Sequence, residues 1–313
     1  METIEARFKI VTPLFMSGAD QAKAELRVPS IKGALRFWWR ALNYDENIAE
    51  LKRKEGEIFG SSEQDVGQSK VIIRLLDKNI ESVPIQSKWN VNDWKSYVGY
   101  GLSENHEKDR EKAPTYREYL KPGGSFNIRF DSVLGLDAIV RPLKVFCLIG
   151  GLGSRSRKGW GSVSAVEFNS DKEKWNIPKT RDEYMKELRD IIVNTDSQHN
   201  RLPAYSAIST ETDVKVGKYF DSYDGAFRDI ADSYKVFIRS IEKKSREGFG
   251  LPRKGVSDDR RASPLLIHIH QCGKEFFWVC LFLAAEFLPE QQMPRDEYRS
   301  VTEFMKQLKG DVI

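Results

Sequence analysis

The sequence predicts an α+β protein of two domains, residues 1–169 and 170–313, and three observations carry that prediction. Short segments alternate residue by residue, as Phe8, Ile10 and Thr12 do with their neighbours, which is typical of half-buried strands. Other segments repeat apolar residues every three to four positions, as amphipathic helices do. A chain of 313 residues, 40% hydrophobic and 31% charged, is also long enough and apolar enough for two domains of ordinary size.

The N-terminal half is predicted to run strand, helix, strand, strand, helix, strand. That is the ferredoxin-like βαββαβ order, which RNA recognition motifs share. Its predicted strands are residues 6–14, 71–76, 125–130 and 161–168, its two predicted helices are residues 31–43 and 134–148, and a further helix is predicted at residues 47–59. A polar, aromatic-rich insertion at residues 84–117 separates the second strand from the third, and the sequence assigns it no role.

The C-terminal half is predicted to be a second α+β domain, which follows a polar linker at residues 169–180. The predicted elements are a helix at 181–194, a strand-like segment at 204–218, a long helix at 223–247, a hairpin of 264–270 with 275–283, and a helix at 295–308. A glycine-rich and basic stretch lies at residues 248–263, where Arg260 and Arg261 face two alternatives: contact with RNA, or pairing with Asp258 and Asp259.

The first long helix carries a basic stripe. Lys32, Arg36 and Arg40 are each four residues apart, and residues 26–44 contain no acid. Like charges at this spacing repel one another, so the stripe predicts contact with a polyanion. Trp38 and Trp39 point about 100° apart on a helix. We assign Trp38 to the core and leave Trp39 open to RNA or protein contact.

Residues 149–162 (IGGLGSRSRKGWGS) form a glycine-rich loop between the second helix and the last strand of the N-terminal half. Five glycines fall within twelve residues, and three cations but no acid lie between them. Glycine allows another chain to approach the backbone closely, and arginine and lysine beside bare amides favour phosphate. Predicted RNA-binding residues in the loop are Gly153, Ser154, Arg155, Arg157, Lys158 and Trp160.

Nucleotide-cofactor sites do not fit this loop. A Walker A loop needs serine or threonine after its lysine, and Gly159 follows Lys158. The GxGxxG pattern would begin at Gly151 and require glycine where Ser156 stands. No cofactor is therefore predicted. Trp160 has two open alternatives, stacking on a base or packing in the core.

Net charge, cysteine content and hydropathy bound the class of protein. The formal charge is +4, so overall charge alone does not establish a polyanion partner. Three cysteines without a CxxC pair favour a reducing compartment. The longest apolar run, residues 276–285, is about half of a membrane span. We therefore expect a cytoplasmic protein without a membrane partner.

Catalytic and metal sites are weakly supported. His268 and His270 share a strand face, but no acidic or cysteine cluster accompanies them, so strand decoration is favoured over metal ligation. His106 and His199 are isolated in polar segments, and acid clusters typical of metal-dependent nucleases are absent from the sequence. No catalytic residue and no metal ligand is predicted.

Residues 31–42 (IKGALRFWWRAL), preceded by 12–15 (TPLF) and 18–20 (GAD), resemble the signature of the RAMP superfamily of CRISPR proteins. Within it the likeness is to the first-numbered subunits of type III-B (Cmr) effector complexes. The glycine-rich loop and residues 260–265 (RRASPL) are similar to further motifs of that family. The resemblance implies two tandem ferredoxin-like domains and a non-catalytic subunit that lies near the 3′ region of the guide RNA and its duplex with target RNA.

The leading hypothesis is accordingly an RNA-binding subunit whose partners are guide RNA (crRNA), target RNA and other Cmr subunits. Which of the two RNAs is the main ligand, which nucleotides are contacted and which subunits dock on the chain all stay open. One alternative is a metal-independent endoribonuclease of the same superfamily, because some relatives cleave RNA with histidine. The other is a protein scaffold whose basic surfaces bind acidic subunits.

Overall fold

The structure is a computed structural model that describes residues 1–45, 47–62, 67–103, 116–195, 202–253, 257–286 and 298–313. Its N-terminal half contains β1 (Glu2–Ile10), α1 (Val28–Leu42), α2 (Ile48–Phe59), β2 (Val71–Asn79), β3 (Ser82–Pro84), α3 (Trp94–Val98), β4 (Glu118–Leu120), β5 (Ser125–Ser132), α4 (Asp137–Ile149) and β6 (Val163–Ser170). Four of these strands form an antiparallel sheet in the order β2-β5-β1-β6.

The C-terminal half contains α5 (Arg181–Val193), β7 (Asp213–Val216), α6 (Tyr223–Ser240), a 3-10 helix (Lys244–Phe249), β8 (Leu251–Arg253), β9 (Ser257–Arg261), β10 (Leu265–Cys272), β11 (Glu275–Phe282), α7 (Arg299–Gln307) and β12 (Asp311–Val312). A second antiparallel sheet has the order β10-β11-β7-β12. The predicted α+β class with antiparallel sheets is therefore confirmed.

The second sheet is buried on both faces. Ile267 and Ile269 of β10 pack with helices α6 and α7, whereas Leu266 and Cys272 of the same strand join the core of the N-terminal half. The two halves thus share apolar contacts across the sheet, and burial of that shared surface stabilises both. No helix in the described part of the chain is both long and apolar enough to cross a bilayer.

Two predicted elements are shorter than expected. The strand predicted at residues 204–218 is limited to β7. Ile208 donates its N–H to the carbonyl of Ala41 in α1 at 2.7 Å, so this N–H is not available for pairing with another strand. The helix predicted at 223–247 ends at Ser240, and Arg246 donates from Nη2 to the carbonyl of Ile241 at 2.9 Å. The first helix begins earlier than expected, at Val28, because proline is tolerated in a first helical turn.

Candidate nucleic-acid interface

The glycine-rich loop between α4 and β6 is a closed, hydrogen-bonded structure. Leu152 donates its N–H to the carbonyl of Gly161 at 2.9 Å, and Gly151 bridges Ser162. Gly161 has a φ of +63°, and a Cβ there would lie 2.0 Å from the carbonyl oxygen of Leu152. Only glycine fits at that position, so part of the loop's glycine content serves its own closure.

The inner side of the loop completes the edge of the second sheet. The carbonyl of Arg157 accepts the N–H of Ile267 at 3.0 Å. The hydroxyl of Ser162 accepts the N–H of Ile269 at 3.1 Å, and that of Ser164 accepts the N–H of Gln271 at 3.4 Å. The loop, together with Ser164 at the start of β6, thus satisfies N–H groups that strand β10 would otherwise leave unpaired.

Two of the three loop cations also point into the protein. Arg157 donates from Nη1 to the carbonyl of Ser263 at 2.6 Å and lies 4.8 Å from the ring centroid of Phe37. Burial lowers the pKa of its guanidinium to about 10. Lys158 donates from Nζ to the hydroxyls of Tyr234 at 2.9 Å and Ser263 at 3.2 Å. These two cations therefore join the halves, and since Arg157 also lines the cleft described below, their contact with RNA stays a prediction.

Neither Trp160 nor Trp39 is accessible. Trp160 is 2% exposed and its ring stacks on Trp89, 5.1 Å between centroids, and on Trp94, 6.2 Å away. Of its two alternatives, the core position is the one the structure shows. Trp39 is 6% exposed within the core of the N-terminal half, so its predicted contact with RNA is corrected as well. The insertion at residues 84–117 supplies the rings that cover Trp160.

The basic stripe of α1 has a counter-ion that the local sequence does not reveal. Glu55 of α2 is buried and accepts hydrogen bonds from Arg36 Nε and Arg40 Nη1, both at 2.5 Å. Arg36 and Arg40 are therefore paired intramolecularly, which corrects the premise that no acid compensates them. Lys32 remains half-buried, and burial followed by the charge of Arg36 lowers its pKa.

Replacing Glu55 with glutamine is expected to destabilise the protein and to strengthen its binding to RNA. Two guanidiniums would lose their shared carboxylate, at a cost of about 2 kcal/mol, since each is still about one-third exposed. The freed charges would raise non-specific affinity for single-stranded RNA. Urea unfolding and fluorescence-anisotropy titration measure the two effects. Glu57→Gln on the exposed face of α2 is the control, and equal changes in both variants would contradict the prediction.

The outward side of the loop meets the beginning of α1 in a cleft of about 250 Å³. Arg155 is exposed beside it, adopts a φ of +61° that non-glycine residues rarely take, and donates from Nε to the carbonyl of Tyr100 at 3.0 Å. Gly153 is exposed and Ser154 is half-buried. The cleft is lined by residues of α1, of the loop and of β10, and Arg157 is the one cation among them: Ser30, Ala34, Phe37, Trp38, Ile149, Gly151, Leu152, Gly153, Ser156, Arg157 and Leu266.

The electrostatics of this cleft favour an anion. The first turn of α1 contains no acid, and the N–H groups at a helix start carry partial positive charge. Gly33 is exposed on the same helix, and no atom lies within 4 Å of the position that a Cβ would take, so nothing in the fold requires glycine there. Sequence reasoning missed this residue, although a glycine inside an amphipathic helix is the signal that a close approach is needed.

The histidines lie away from this cleft. His268 and His270 are buried between β10 and the N-terminal half, with Ser164 Oγ 3.2 Å from His270 Nδ1. Burial lowers the pKa of His270 to about 3 and that of His268 well below its usual value. Among the described residues no group of three metal-ligating side chains occurs. His106 and His199 lie outside the described residues. Arg261 packs 5.1 Å from the ring of Tyr298, and Arg260 is exposed.

Comparison with known proteins shows which family the chain belongs to. The RAMP superfamily model matches residues 7–164. The CRISPR system Cmr subunit Cmr1-1 of Pyrococcus furiosus is 29% identical over an alignment of 297 residues that covers 85% of this chain and 82% of that protein. Cmr1-2 of the same organism is 32% identical over an alignment of 170 residues that covers 49% of this chain and 89% of that protein.

Solved structures agree on the fold. The crystal structure of Cmr1 from P. furiosus in its apo form has a TM-score of 0.67 and 24% identity, and the match covers 100% of this chain and 98% of that one. A chain of the type III-B Cmr-beta complex bound to cognate target RNA has a TM-score of 0.57 and 12% identity, covering 97% and 99%. Because the family model spans half of the sequence and includes α1 and the glycine-rich loop, the chain belongs to the RAMP superfamily.

Proposed function

We propose that this chain is a non-catalytic RNA-binding subunit of a type III-B (Cmr) RNA-guided effector complex. The observation that carries the proposal is the outward cleft between the start of α1 and the glycine-rich loop, with Arg157 in its lining and the exposed Arg155 next in the chain to Ser156. The relationship to Cmr1-1, and a fold shared with a complex bound to target RNA, support the assignment. We expect its partners to be guide RNA, target RNA near the guide's 3′ region and other Cmr subunits, in the cytoplasm.

We also propose that both halves are ferredoxin-like domains. In the first, β1, β2, β5 and β6 pair in the order β2-β5-β1-β6, with α1 and α4 as the two crossover helices. In the second, β7, β10, β11 and β12 pair in the order β10-β11-β7-β12, with α6 and α7 in the same places. The two orders coincide once strands are numbered within each half. The boundary at residue 169 stays a prediction. In the sequence, α5 lies between the last strand of the first sheet and the first strand of the second.

The cleft suits an RNA backbone better than a base. Its polar groups are loop amides, serine hydroxyls and the half-buried guanidinium of Arg157, all of which bind phosphate oxygens without reading sequence. Trp160, for which base stacking was an alternative, is enclosed in the core. Binding should therefore be electrostatic and weakly dependent on sequence.

Titration of the full chain with unrelated single-stranded RNAs at several salt concentrations tests the function. We expect the affinity to fall with salt at a log–log slope of about −0.7 for each phosphate contacted. Arg155→Ala should weaken binding to every sequence alike without lowering stability, because Arg155 is exposed and the described structure shows one hydrogen bond from its side chain, to the carbonyl of Tyr100. An affinity for RNA that does not change with salt concentration would contradict the proposal.

Gly33→Ala is expected to separate stability from binding. Alanine in an open, exposed helical position should raise the free energy of unfolding by about 0.5–1 kcal/mol. The added methyl group would hold an RNA backbone away from the helix and weaken binding several-fold. Thermal unfolding and RNA titration of the same preparation measure both effects. Unchanged or tighter RNA binding in this variant would remove α1 from the interface.

The absence of catalysis is part of the proposal and has its own test. His268 and His270 are enclosed, and so are out of reach of a substrate. We expect labelled RNA to remain intact during long incubation with the full chain, with and without divalent metal. Discrete products that disappear in His106→Ala or His199→Ala would favour the endoribonuclease instead.

A further inference from the structure

Arg117, at the end of the insertion, is a guanidinium without a counter-ion in the described structure. It donates from Nη2 to Ser154 Oγ at 3.2 Å and to Ser17 Oγ at 3.4 Å, and it lies 5.8 Å from the ring centroid of Phe15. No carboxylate among the described residues forms an ion pair with it, and its buried Nε has no hydrogen-bond acceptor there. Burial lowers the pKa of this guanidinium, and no described acid opposes the shift.

Such an arrangement is costly unless an anion completes it. A half-buried cation loses hydration and, without a counter-charge, recovers little of that loss. Serine hydroxyls rotate and can donate as readily as they accept, so Ser17 and Ser154 become donors when an anion arrives. The planar guanidinium adds N–H groups in a fixed fork that matches two oxygens of one phosphate. All three side chains converge on one point at the outer side of the loop.

We propose that Arg117, Ser17 and Ser154 form a seat for one phosphate group of a bound RNA strand. The inference rests on the proposed function and extends it, because Ser154 lies between Gly153 of the cleft and the exposed Arg155. A strand that crosses the cleft therefore brings a neighbouring phosphate to Ser154. This continuity favours a nucleic-acid phosphate over the carboxylates of an acidic protein. Because Arg117 belongs to the insertion, the insertion would then bind phosphate as well as cover Trp160.

The seat can be tested without RNA, with inorganic phosphate as the probe. Thermal unfolding of the full chain is compared in phosphate and in chloride at equal ionic strength. We expect phosphate at about ten times its Kd to raise the Tm of the wild type by about 2 °C or more. The Tm of Arg117→Gln should not change. Arg189→Gln, which removes an exposed arginine from α5, should respond like the wild type.

RNA titration of the same variants distinguishes the contribution of this seat from that of the rest of the interface. Arg117→Gln should weaken RNA binding about tenfold and make the salt slope about 0.7 units shallower, the loss of one phosphate contact. The double variant Ser17→Ala, Ser154→Ala should lose the phosphate effect too, which keeps the test decisive where Arg117→Gln folds poorly.

Equal phosphate stabilisation of wild type and of the double variant would overturn the proposal. So would an unchanged salt slope in Arg117→Gln when the wild type binds RNA. Poly-glutamate that protects the wild type better than phosphate, and does so through Arg117, would assign the seat to a protein partner instead. A chain that shows the phosphate effect but binds no RNA would contradict the proposed function and leave the anion seat intact.

Discussion

Gly161→Ala is expected to lower the free energy of unfolding by roughly 3 kcal/mol or more and to abolish RNA binding. The residue's φ of +63° already penalises any side chain, and a Cβ would stand 2.0 Å from the carbonyl oxygen of Leu152. The loop must open to relieve that contact. Opening breaks the bond between Leu152 and Gly161 and moves the groups that line the cleft.

A matched control isolates the contact from the backbone strain. Gly273, in the turn between β10 and β11, has a nearly equal φ of +59° but no atom within 4 Å of a Cβ position. Gly273→Ala should therefore cost only the strain, about 1–2 kcal/mol, and leave RNA binding unchanged. Urea unfolding of both variants, with RNA titration at a temperature where each is folded, measures the difference. Comparable losses in the two would mean that strain alone accounts for Gly161.

Elements whose determinants are local were predictable from the sequence. The helix expected at residues 47–59 is α2, and Asn47 caps it by accepting the N–H groups of Ala49 and Glu50. The hairpin expected around residues 271–274 is β10 and β11, with Gly273 at positive φ in the turn. In both cases the residue that starts or turns the element lies within it or beside it, and alternation or 3.6-residue periodicity supplies the rest.

The candidate site was predicted less well, because its determinants are distant in sequence. Arg36 and Arg40 look uncompensated along α1, yet Glu55, on the next helix, binds both. Arg157 looks like an RNA contact, yet its hydrogen-bond acceptor is Ser263, more than a hundred residues away. Charge patterns along one segment show which charges are present, whereas tertiary packing decides which of them remain free for a ligand.

The loop consequently has two sides with different tasks. Its inner side supplies acceptors to β10 and cations to α6 and to Ser263, which joins the halves. Its outer side presents Gly153, Ser154 and Arg155. Because the inner contacts hold the loop in place before any ligand binds, the outer groups need little rearrangement for the proposed contact with RNA. The entropic cost of ordering the loop, which would weaken binding, is therefore small.

Acidification is expected to destabilise the joint between the halves through His268 and His270. Their facing nitrogens, Nε2 and Nδ1, are 3.3 Å apart, and the neighbours that surround them are neutral: the Ser164 hydroxyl, the Tyr184 ring and the Phe277 ring. Burial lowers the pKa of His270 to about 3, whereas an unfolded histidine titrates near 6.5. Burial, and then the proximity of His270, lowers the pKa of His268 further than the carbonyl of Gly150 raises it.

The sign of the effect follows from proton counts. Between pH 6.5 and the folded pKa values the unfolded chain binds more protons than the folded one, so stability rises with pH in that window and is flat above about pH 7. A histidine contributes a slope of up to about 1.4 kcal/mol per pH unit, so His270, with a folded pKa of about 3, costs about 2 kcal/mol at pH 5 relative to pH 7, and His268 adds to the cost in the same direction. Carboxylates titrate mainly below pH 5, so the upper part of the window reports the histidines.

Urea unfolding at half-unit steps from pH 5 to pH 8 measures this dependence. The double variant His268→Gln, His270→Gln keeps polar side chains in place but cannot take up a proton, so its stability should change little between pH 5.5 and pH 7. It will be less stable than the wild type at pH 8, where the buried neutral pair is intact, and the gap should narrow as the pH falls. A pH dependence of equal slope in the two proteins would show that the folded structure already accommodates protonated histidine at this joint.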